Sequence, residues 1–599
     1  MTGPRPIMGS MGSVRRALAL GLGVTAGLVC TAPVAAQGQA DGLVAYYDRS
    51  ASPSDAIPAI LSREEREHYR RVFAAIDREQ WDEVTTLLQR YDNSVLHQIA
   101  VAEYFTHANS PRISAEQVGA WFNNGVDLPQ AEQLARMGAN RGLEYVPSLP
   151  QAQSFRRQPA APKRILPRSI NDGTIDETTR ERILDNIIND NPVGAHALLN
   201  QIDAGLSAEA RAEWRQRVAW SYYIENDDRN ALAVARTVAG GSGPWVAEGD
   251  WVAGLAAWRL GSCALAAEGF ANAARRAANV ELAAAGHYWA HRALIRCREP
   301  GNAMRHLNQA ARYDATLYGM LALDQLGIEI PADTPAQRFT RADWSMIAPR
   351  SNVQVAAALA EIGRPGLADE VLRHEARIGP VRDYPAVARL ARELGLPSTQ
   401  LFMAHNAPYG MTSEAALRFP VARWQPRTGW RIDPALVFAH ALQESNFRAR
   451  AVSPANARGL MQIRPGTARD HNRRLNLGAS YADLADPEVN LTYGQQHLEM
   501  LRDSAITRGQ LPKIMAAYNA GLSPVGRWNS EINDLGDPLL WMESIPYWET
   551  RGYVAIVMRN YWMYERAAGA PSPTRRALAQ GRWPQFPGRP TGRSAALAR

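Results

Sequence analysis

The chain has little of several things. It holds three cysteines in 599 residues, too few for a disulfide-built scaffold. The HExxH pairing, paired CxxC, Gly-rich phosphate loop and calcium-loop pattern are all missing from the sequence, so it offers no motif for metal or nucleotide chemistry. The twelve histidines are scattered. Long alternating runs of Val, Ile and Thr are also missing, which argues against a large sheet. No apolar run reaches the roughly 20 residues a membrane-spanning helix needs.

A strong charge of one sign is lacking too, once the ends are set aside. The formal charge is +7, yet residues 1–36 carry Arg5, Arg15 and Arg16 without an acid, and residues 571–599 carry six Arg without an acid, so the body between is at −2. Nucleic acid is therefore not an expected partner. The Pro- and Arg-rich end reads as a disordered basic tail, with docking on anionic wall polymers or headgroups as the alternative.

What is present points first to export. Arg15 and Arg16 precede an apolar run, Ala17 to Cys30, and small residues including Val34 and Ala36 lead to a cut near Gln37. This is the layout of a cleavable secretory signal over residues 1–36. Val29 before Cys30 disfavours a lipoprotein. Cys263 and Cys297 then remain in an oxidising compartment, and a disulfide between them is expected. Two buried free thiols are the alternative.

The rest reads as helix. Tyr69, Val72, Phe73 and Ile76 recur at helical spacing between Glu64 and Asp77. Gln80 to Tyr91 and Leu96 to Phe105 continue the pattern. Prolines from Pro150 to Pro167 break it, and helical pairs resume near Thr178. The stretch from Trp245 to Cys297 reads as stacked hairpins of an irregular α-solenoid. The sixteen Trp are mostly expected to pack these helices, although some suit sugar-stacking faces. The expected organisation is a signal over 1–36 and an α-superhelical domain over 37–345. A short helical linker domain follows over 346–415, a compact helical domain over 416–570 and the tail over 571–599.

The compact domain carries the chemistry. Asp433-Pro434 is a strong helix start. The helix ALVFAHALQESNF that follows is apolar nearly all round and should be buried. Glu444 shares a stripe with Val437 and Ala441. A carboxylate there is costly unless it has a partner or a purpose, and desolvation would hold it protonated as a general acid requires. His440, one turn earlier, reads as a packing or hydrogen-bonding residue. Asp470, Asp483 and Asp486 sit in loop-like contexts and read as surface charge, so no second acid stands out.

The blocks around Glu444 are specific. They run SNF after Glu444, Ser453-Pro454, ARGLMQ ending at Gln462, DPEVNLTYG at 486–494, AAYNAG at 516–521 and IPYWETRGYV at 545–554. This ordered set resembles the catalytic domain of the soluble lytic murein transglycosylases, the goose-lysozyme-like Slt family. The segment from Tyr313 to Gly327, with WRLG and YWAHRA, resembles the family's ring-forming helices, and Val353 to Asn406 its linker.

The resemblance implies an all-α fold with a lysozyme-like catalytic domain. The implied enzyme needs no cofactor and acts on peptidoglycan glycan strands in the periplasm, with the Cys263–Cys297 disulfide inside the ring. Glu444 would be acid and then base. Ser453 and Gln462 would contact the sugar, Met461 would line the cleft with apolar wall, and Tyr518 would hydrogen-bond near the carboxylate. Glu549 would support the site through a hydrogen bond, a salt bridge to Arg551 being the alternative. Asn519 would tie loops. A monomer is expected, with peripheral association with the envelope left open. A hydrolytic muramidase and a non-catalytic glycan-binding scaffold are the rival readings. Two positions depart from the family pattern: Asn456 replaces a usual Gly in a turn that tolerates Asn, and Arg464 stands where Met is common.

Overall fold

The computed structural model describes residues 55–329, 337–475, 478 and 483–588. The expected signal segment lies outside them. The described chain is helical throughout, apart from a two-stranded antiparallel ribbon that pairs Phe155–Arg157 with Asn406–Pro408. No described helix is long and apolar enough to cross a membrane.

The three expected N-terminal helices form as Arg63–Asp77, Trp81–Leu88 and His97–Thr106. The first begins in a capping box: Glu65 N–H donates to Ser62 Oγ, and Ser62 N–H donates to the Glu65 carboxylate. That satisfies two of the donors a helix start leaves open.

Compositional boundaries do not coincide with the cores. Helices between Leu61 and Leu134 share one core with residues Phe339–Leu417. The Glu361 carboxylate accepts from Ile60 N–H at 2.6 Å, and Asn352 Nδ2 donates to Asp127 O at 2.8 Å. The 346–415 segment is thus packed with the N-terminal helices rather than standing apart. Proline clusters mark where the chain turns, and they carry no information about which helices meet.

The second core runs from Ile183 to Ala322 and continues through Ala422 to Ala579. Its centre is the stack Trp245–Arg259, Cys263–Arg276, Val280–Arg296 and Pro300–Ala311. Every residue of the Trp245–Arg259 helix is buried, its charged Glu248, Asp250 and Arg259 being ion-paired with Arg164, Arg276 and Asp228. Small residues permit the approach. A Cβ on Gly269 would sit 2.7 Å from the Gly254 nitrogen. Trp214, Trp245, Trp251, Trp289, Trp541 and Trp562 are fully buried, in keeping with their reading as core. Cys263, opening one helix, is disulfide-bonded to Cys297 just past the end of the next, with Cα atoms 5.5 Å apart.

The C-terminal domain sits on this stack through buried polar contacts. Tyr318 O–H donates to Glu543 Oε1 at 2.6 Å, and Arg259 Nη2 donates to Ser544 Oγ at 2.9 Å. Arg559 pairs with Glu281 at 3.3 Å. Such groups are tolerable in a core because each charge meets a partner.

The expectation of a disordered basic tail from residue 571 is corrected by the structure as far as residue 588. Pro573–Ala579 is a helix. Arg575 Nε donates to Asp324 at 2.7 Å, and Gln325 Nε2 donates to Ala579 O. Trp583 packs against Trp541, with the Lys513 ammonium 4.5 Å from its ring centre. Leu578 and Trp583 supply apolar surface that a composition count hides behind the arginines. Residues 589–599 lie outside the described chain.

Candidate functional site

The Pro434–Ser445 helix forms as its sequence suggests. Ala435 N–H donates to Asp433 Oδ1 at 2.9 Å, Pro434 takes the first position, and Tyr561 O–H donates to Asp433 Oδ2. The helix ends in two left-handed residues, Asn446 at φ 51° and Phe447 at φ 59°. Phe447 is buried at 1% exposure, and its packing offsets a backbone angle that a bulky side chain disfavours. Ser445 O–H donates to Leu460 O at 2.8 Å, which pins the helix end to the GLMQ turn.

Glu444 is half-buried on the last turn of this helix. Tyr553 O–H donates to its Oε1 at 2.7 Å. Burial pushes the carboxyl pKa up to about 7, the Tyr553 hydrogen bond opposes that rise, and the charge of Glu549 adds to it. Desolvation thus dominates, and the group keeps its proton close to neutrality.

Tyr553 comes from the Trp548–Ala567 helix and Tyr518 from Leu511–Ala520. Their rings are near-parallel, 8° apart in plane with centroids 6.4 Å apart. Burial first, and the nearby Glu444 second, hold both phenols well above their usual pKa. Both therefore act as neutral donors. The Tyr518 hydroxyl does not bond the carboxylate as expected; it donates to Met461 O at 2.8 Å. The carboxylate's tyrosine is Tyr553.

Beneath them lies a histidine layer. His440 is fully buried, with Nδ1 2.8 Å from Leu436 O and its ring 4.8 Å from that of Tyr518. Burial pushes its pKa down to about 4, so it is a neutral packing group, in line with the sequence reading. His497 and His471 continue the layer at 3.2 Å from each other. No group of three or more metal-ligating side chains occurs among the described residues.

The turn from Ala451 to Ile463 forms one lip. Ser453 Oγ accepts from Ala457 N–H at 3.0 Å, which closes a tight loop. Asn456, at φ 59°, takes the left-handed angle that the turn needs. Gly459 is obligatory, because a Cβ would lie 2.2 Å from Asn490 Nδ2 and 2.3 Å from Leu484 O. Gln462 spends its amide N–H groups on Gly459 O and Ala451 O, so it braces the turn. Met461 is corrected: its side chain is fully buried against Gly494 and forms no cleft wall, although its carbonyl holds Tyr518. Arg464 is exposed.

Glu549 is exposed in the first turn of the Trp548–Ala567 helix. Arg551 goes elsewhere: its Nε donates to Ile545 O and its guanidinium stacks 4.0 Å over Trp220. Thr550 O–H donates to Asn519 Oδ1 at 2.6 Å, so Asn519 ties two helices, Leu511–Ala520 and Trp548–Ala567, rather than loops. Asp486 caps the Pro487–Arg502 helix and pairs with Arg427, Asp483 accepts from Ala485 N–H, and Asp470 is exposed. None of the three reaches Glu444 by a hydrogen bond among the described residues.

Two participants were missed by the sequence reading. Tyr553 follows Glu549 by four residues, so both project from one helix face, and that spacing was the available signal. Asn490, in the DPEVNLTYG block, accepts from Met461 N–H and donates to Arg458 O and Leu484 O. Nothing in its spacing announces a side chain that bonds the Ala451–Ile463 turn twice and Leu484 once.

Residues 425–539 match the family model described as Transglycosylase SLT domain. The soluble lytic murein transglycosylase of Escherichia coli K12 is 35% identical over 149 residues, 24% of this chain and 23% of that protein. The Salmonella typhimurium protein of the same name is 35% identical over 159 residues, 25% of this chain and 24% of its own length. The chain thus aligns with about a quarter of the length of these curated relatives. Structural likeness reaches further. An inactive mutant of lytic transglycosylase Slt from Pseudomonas aeruginosa superposes with a TM-score of 0.51 at 20% identity, covering 86% of this chain and 90% of that one. The 70-kDa soluble lytic transglycosylase of Escherichia coli gives 0.51 at 19% identity, covering 88% and 100%. These likenesses show the fold.

Proposed function

We propose that the protein, whose residues 425–539 match the transglycosylase SLT domain and whose fold is like that of the soluble lytic transglycosylases, is a peptidoglycan lytic transglycosylase with Glu444 as its single catalytic carboxylate. The observation that carries this reading is the state of Glu444: half-buried, hydrogen-bonded by Tyr553, with its pKa pushed up to about 7.

A carboxyl of that pKa holds a proton near neutral pH and can give it to the oxygen linking N-acetylmuramic acid to N-acetylglucosamine. As that bond breaks, the substrate's own acetamido group stabilises the positive charge at C1. Glu444, now ionised, is steadied by the Tyr553 O–H. It then takes the proton of the sugar's C6 hydroxyl, whose oxygen closes on C1. The carboxyl ends protonated, as it began. The product is a 1,6-anhydro end, formed without adding water. The attack is intramolecular, so proximity replaces a protein nucleophile, and a two-carboxylate arrangement of the usual glycosidase kind is not required.

In this reading the Ser453–Gln462 turn borders the glycan groove. Ser453 and Glu549 are the side chains on the two lips that face sugar, while Gln462 and Tyr518 hold the turn in place. The substrate lies outside the cytoplasmic membrane. Export to the periplasm through the N-terminal segment and action as a monomer belong to the same proposal.

The test is turnover of purified peptidoglycan by wild type and Glu444→Gln. Loss of about three orders of magnitude or more is expected, since removing a general acid–base group costs roughly 10²–10⁴-fold. Retention of a tenth of wild-type activity would remove Glu444 from its role.

A further inference from the structure

The Trp548–Ala567 helix is held from two sides. On one side Tyr553 O–H reaches the Glu444 carboxyl at 2.7 Å. At roughly 100° per residue, Arg551, Ala555 and Arg559 lie on the opposite side of the helix from Tyr553, and that side meets the superhelix. The Arg551 guanidinium stacks 4.0 Å over Trp220, from the Ala208–Ile224 helix, and its Nε donates to Ile545 O at 3.1 Å. Farther along, Arg559 is buried, pairs at 3.3 Å with Glu281 from the Val280–Arg296 helix, and donates to Pro162 O.

Apolar packing alone does not fix this interface. Between the helix and the superhelix lies a cavity of about 50 Å³, bordered by Gly552, Ala555 and Ala285. A void among small residues offers few contacts to resist rotation of the helix. The resistance comes from the two arginines, about 12 Å apart along the axis. The Arg559–Glu281 pair is the pivot, and Arg551 on Trp220 sets the rotation at the end that carries Tyr553. A turn of about 10° moves an atom at the helix rim, ~6 Å from the axis, by roughly 1 Å. That is enough to break a hydrogen bond.

We propose that Trp220 is a positioning residue for the reaction: by holding Arg551 it fixes the rotation of the Trp548–Ala567 helix, and so the bond from Tyr553 to the Glu444 carboxyl. The inference rests on the acid–base role proposed for Glu444. The superhelix thereby acts on the chemistry without touching the bond that is cut. The groups that face the carboxyl are Tyr553 and Glu549 on this helix, Tyr518 on Leu511–Ala520 and His440 one turn earlier on its own helix. The Tyr553 bond outweighs the charge of the exposed Glu549, so loosening the helix pushes the carboxyl pKa up.

Trp220 is half-buried. Trp220→Leu removes the stacking face, and Trp220→Phe keeps one. In Trp220→Leu the alkaline limb of peptidoglycan turnover should move to higher pH, and kcat should fall about three- to tenfold with KM little changed. Trp220→Phe should stay near wild type. Arg551→Met, which removes the other half of the stack, should reproduce the shift and decides the matter if Trp220→Leu does not fold. In a Tyr553→Phe background Trp220→Leu should cost less than about twofold, because the bond it acts through is already gone. A second readout needs no turnover: the stability gained at pH 8 by Glu444→Gln should be larger in the Trp220→Leu background than in wild type. Wild-type behaviour of Trp220→Leu, a loss of rate with an unmoved limb, or a loss that adds in full to that of Tyr553→Phe would overturn the inference. If wild type releases nothing from peptidoglycan while the stability readout moves as expected, the glycan reading fails and the positioning stands.

Discussion

The Tyr553 hydroxyl donates a 2.7 Å hydrogen bond to Glu444 Oε1. The two residues lie 109 positions apart, on two helices that pack against each other in the C-terminal domain. The bond opposes the upward push of burial on the carboxyl, so it holds the group where it can both give and take a proton.

Tyr553→Phe should therefore move the Glu444 pKa further up, because the opposing hydrogen bond is gone. The alkaline limb of the rate profile should shift to higher pH. The ionised form after proton donation loses its donor, and kcat should fall about tenfold for the loss of one such bond, with KM little changed. Steady-state kinetics from pH 5 to 9 would show this. A fall in rate with an unmoved limb would make Tyr553 a packing residue only.

The pH dependence of stability has a defined sign. Glu444 is raised from 4.5 to about 7 in the folded chain, so the folded state holds the proton more tightly than the unfolded state. Its favourable contribution is complete below about 4.5 and is lost as pH rises to about 7. Glu444→Gln should be more stable than wild type at pH 8, by on the order of 1–3 kcal/mol after allowing for partial exposure. The difference should close toward pH 4.5. Denaturant titrations at pH 4.5, 6 and 8 measure it, and a difference independent of pH would contradict the assignment.

Much of the helical layout was legible, because amphipathic spacing and caps are local. Asp433 begins a helix as the Asp-Pro pair announces, whereas Asp486, which reads as surface charge, turns out to cap a helix as well. The disulfide followed from cysteine scarcity. The partition into cores was not legible, since it depends on which surfaces meet across more than 200 residues, as Gln153 does with Ala376. Within the site, Glu444 announced itself by standing on an apolar helix. The swapped duties of Tyr518 and Tyr553 did not, because both lie in blocks of the right kind and only their distance from the carboxylate separates them. Met461 was misread for a related reason: a motif position says that a residue matters, and burial decides whether it faces the groove or the core.

Replacing Cys263 and Cys297 together by Ala should lower stability by about 3–4 kcal/mol, from the loop of some 35 residues that the bridge closes. The Cys263–Cys297 bond joins neighbouring turns of the helical stack. Urea unfolding of the double variant against wild type, both without reductant, checks it. Turnover at low temperature should be preserved, because the bridge lies within the superhelix rather than at Glu444.

Truncation after residue 570 should destabilise the protein, by roughly 3–5 kcal/mol for the loss of buried apolar side chains. It removes Leu578, fully buried, and the Arg575–Asp324 and Trp583–Trp541 contacts. Thermal melting of the truncated chain tests this. A melting temperature equal to that of the full chain would restore the reading of a solvated tail.

The most direct test of the account is the mass of the fragments released from purified peptidoglycan by the wild-type protein. Glu444 acting as acid and then base, with the C6 oxygen closing the ring, predicts muropeptides with 1,6-anhydro ends, each lighter by one water than a hydrolysed fragment, and none of them from Glu444→Gln. Fragments that have gained water from the wild-type protein would contradict it and make the enzyme a hydrolase on the same fold.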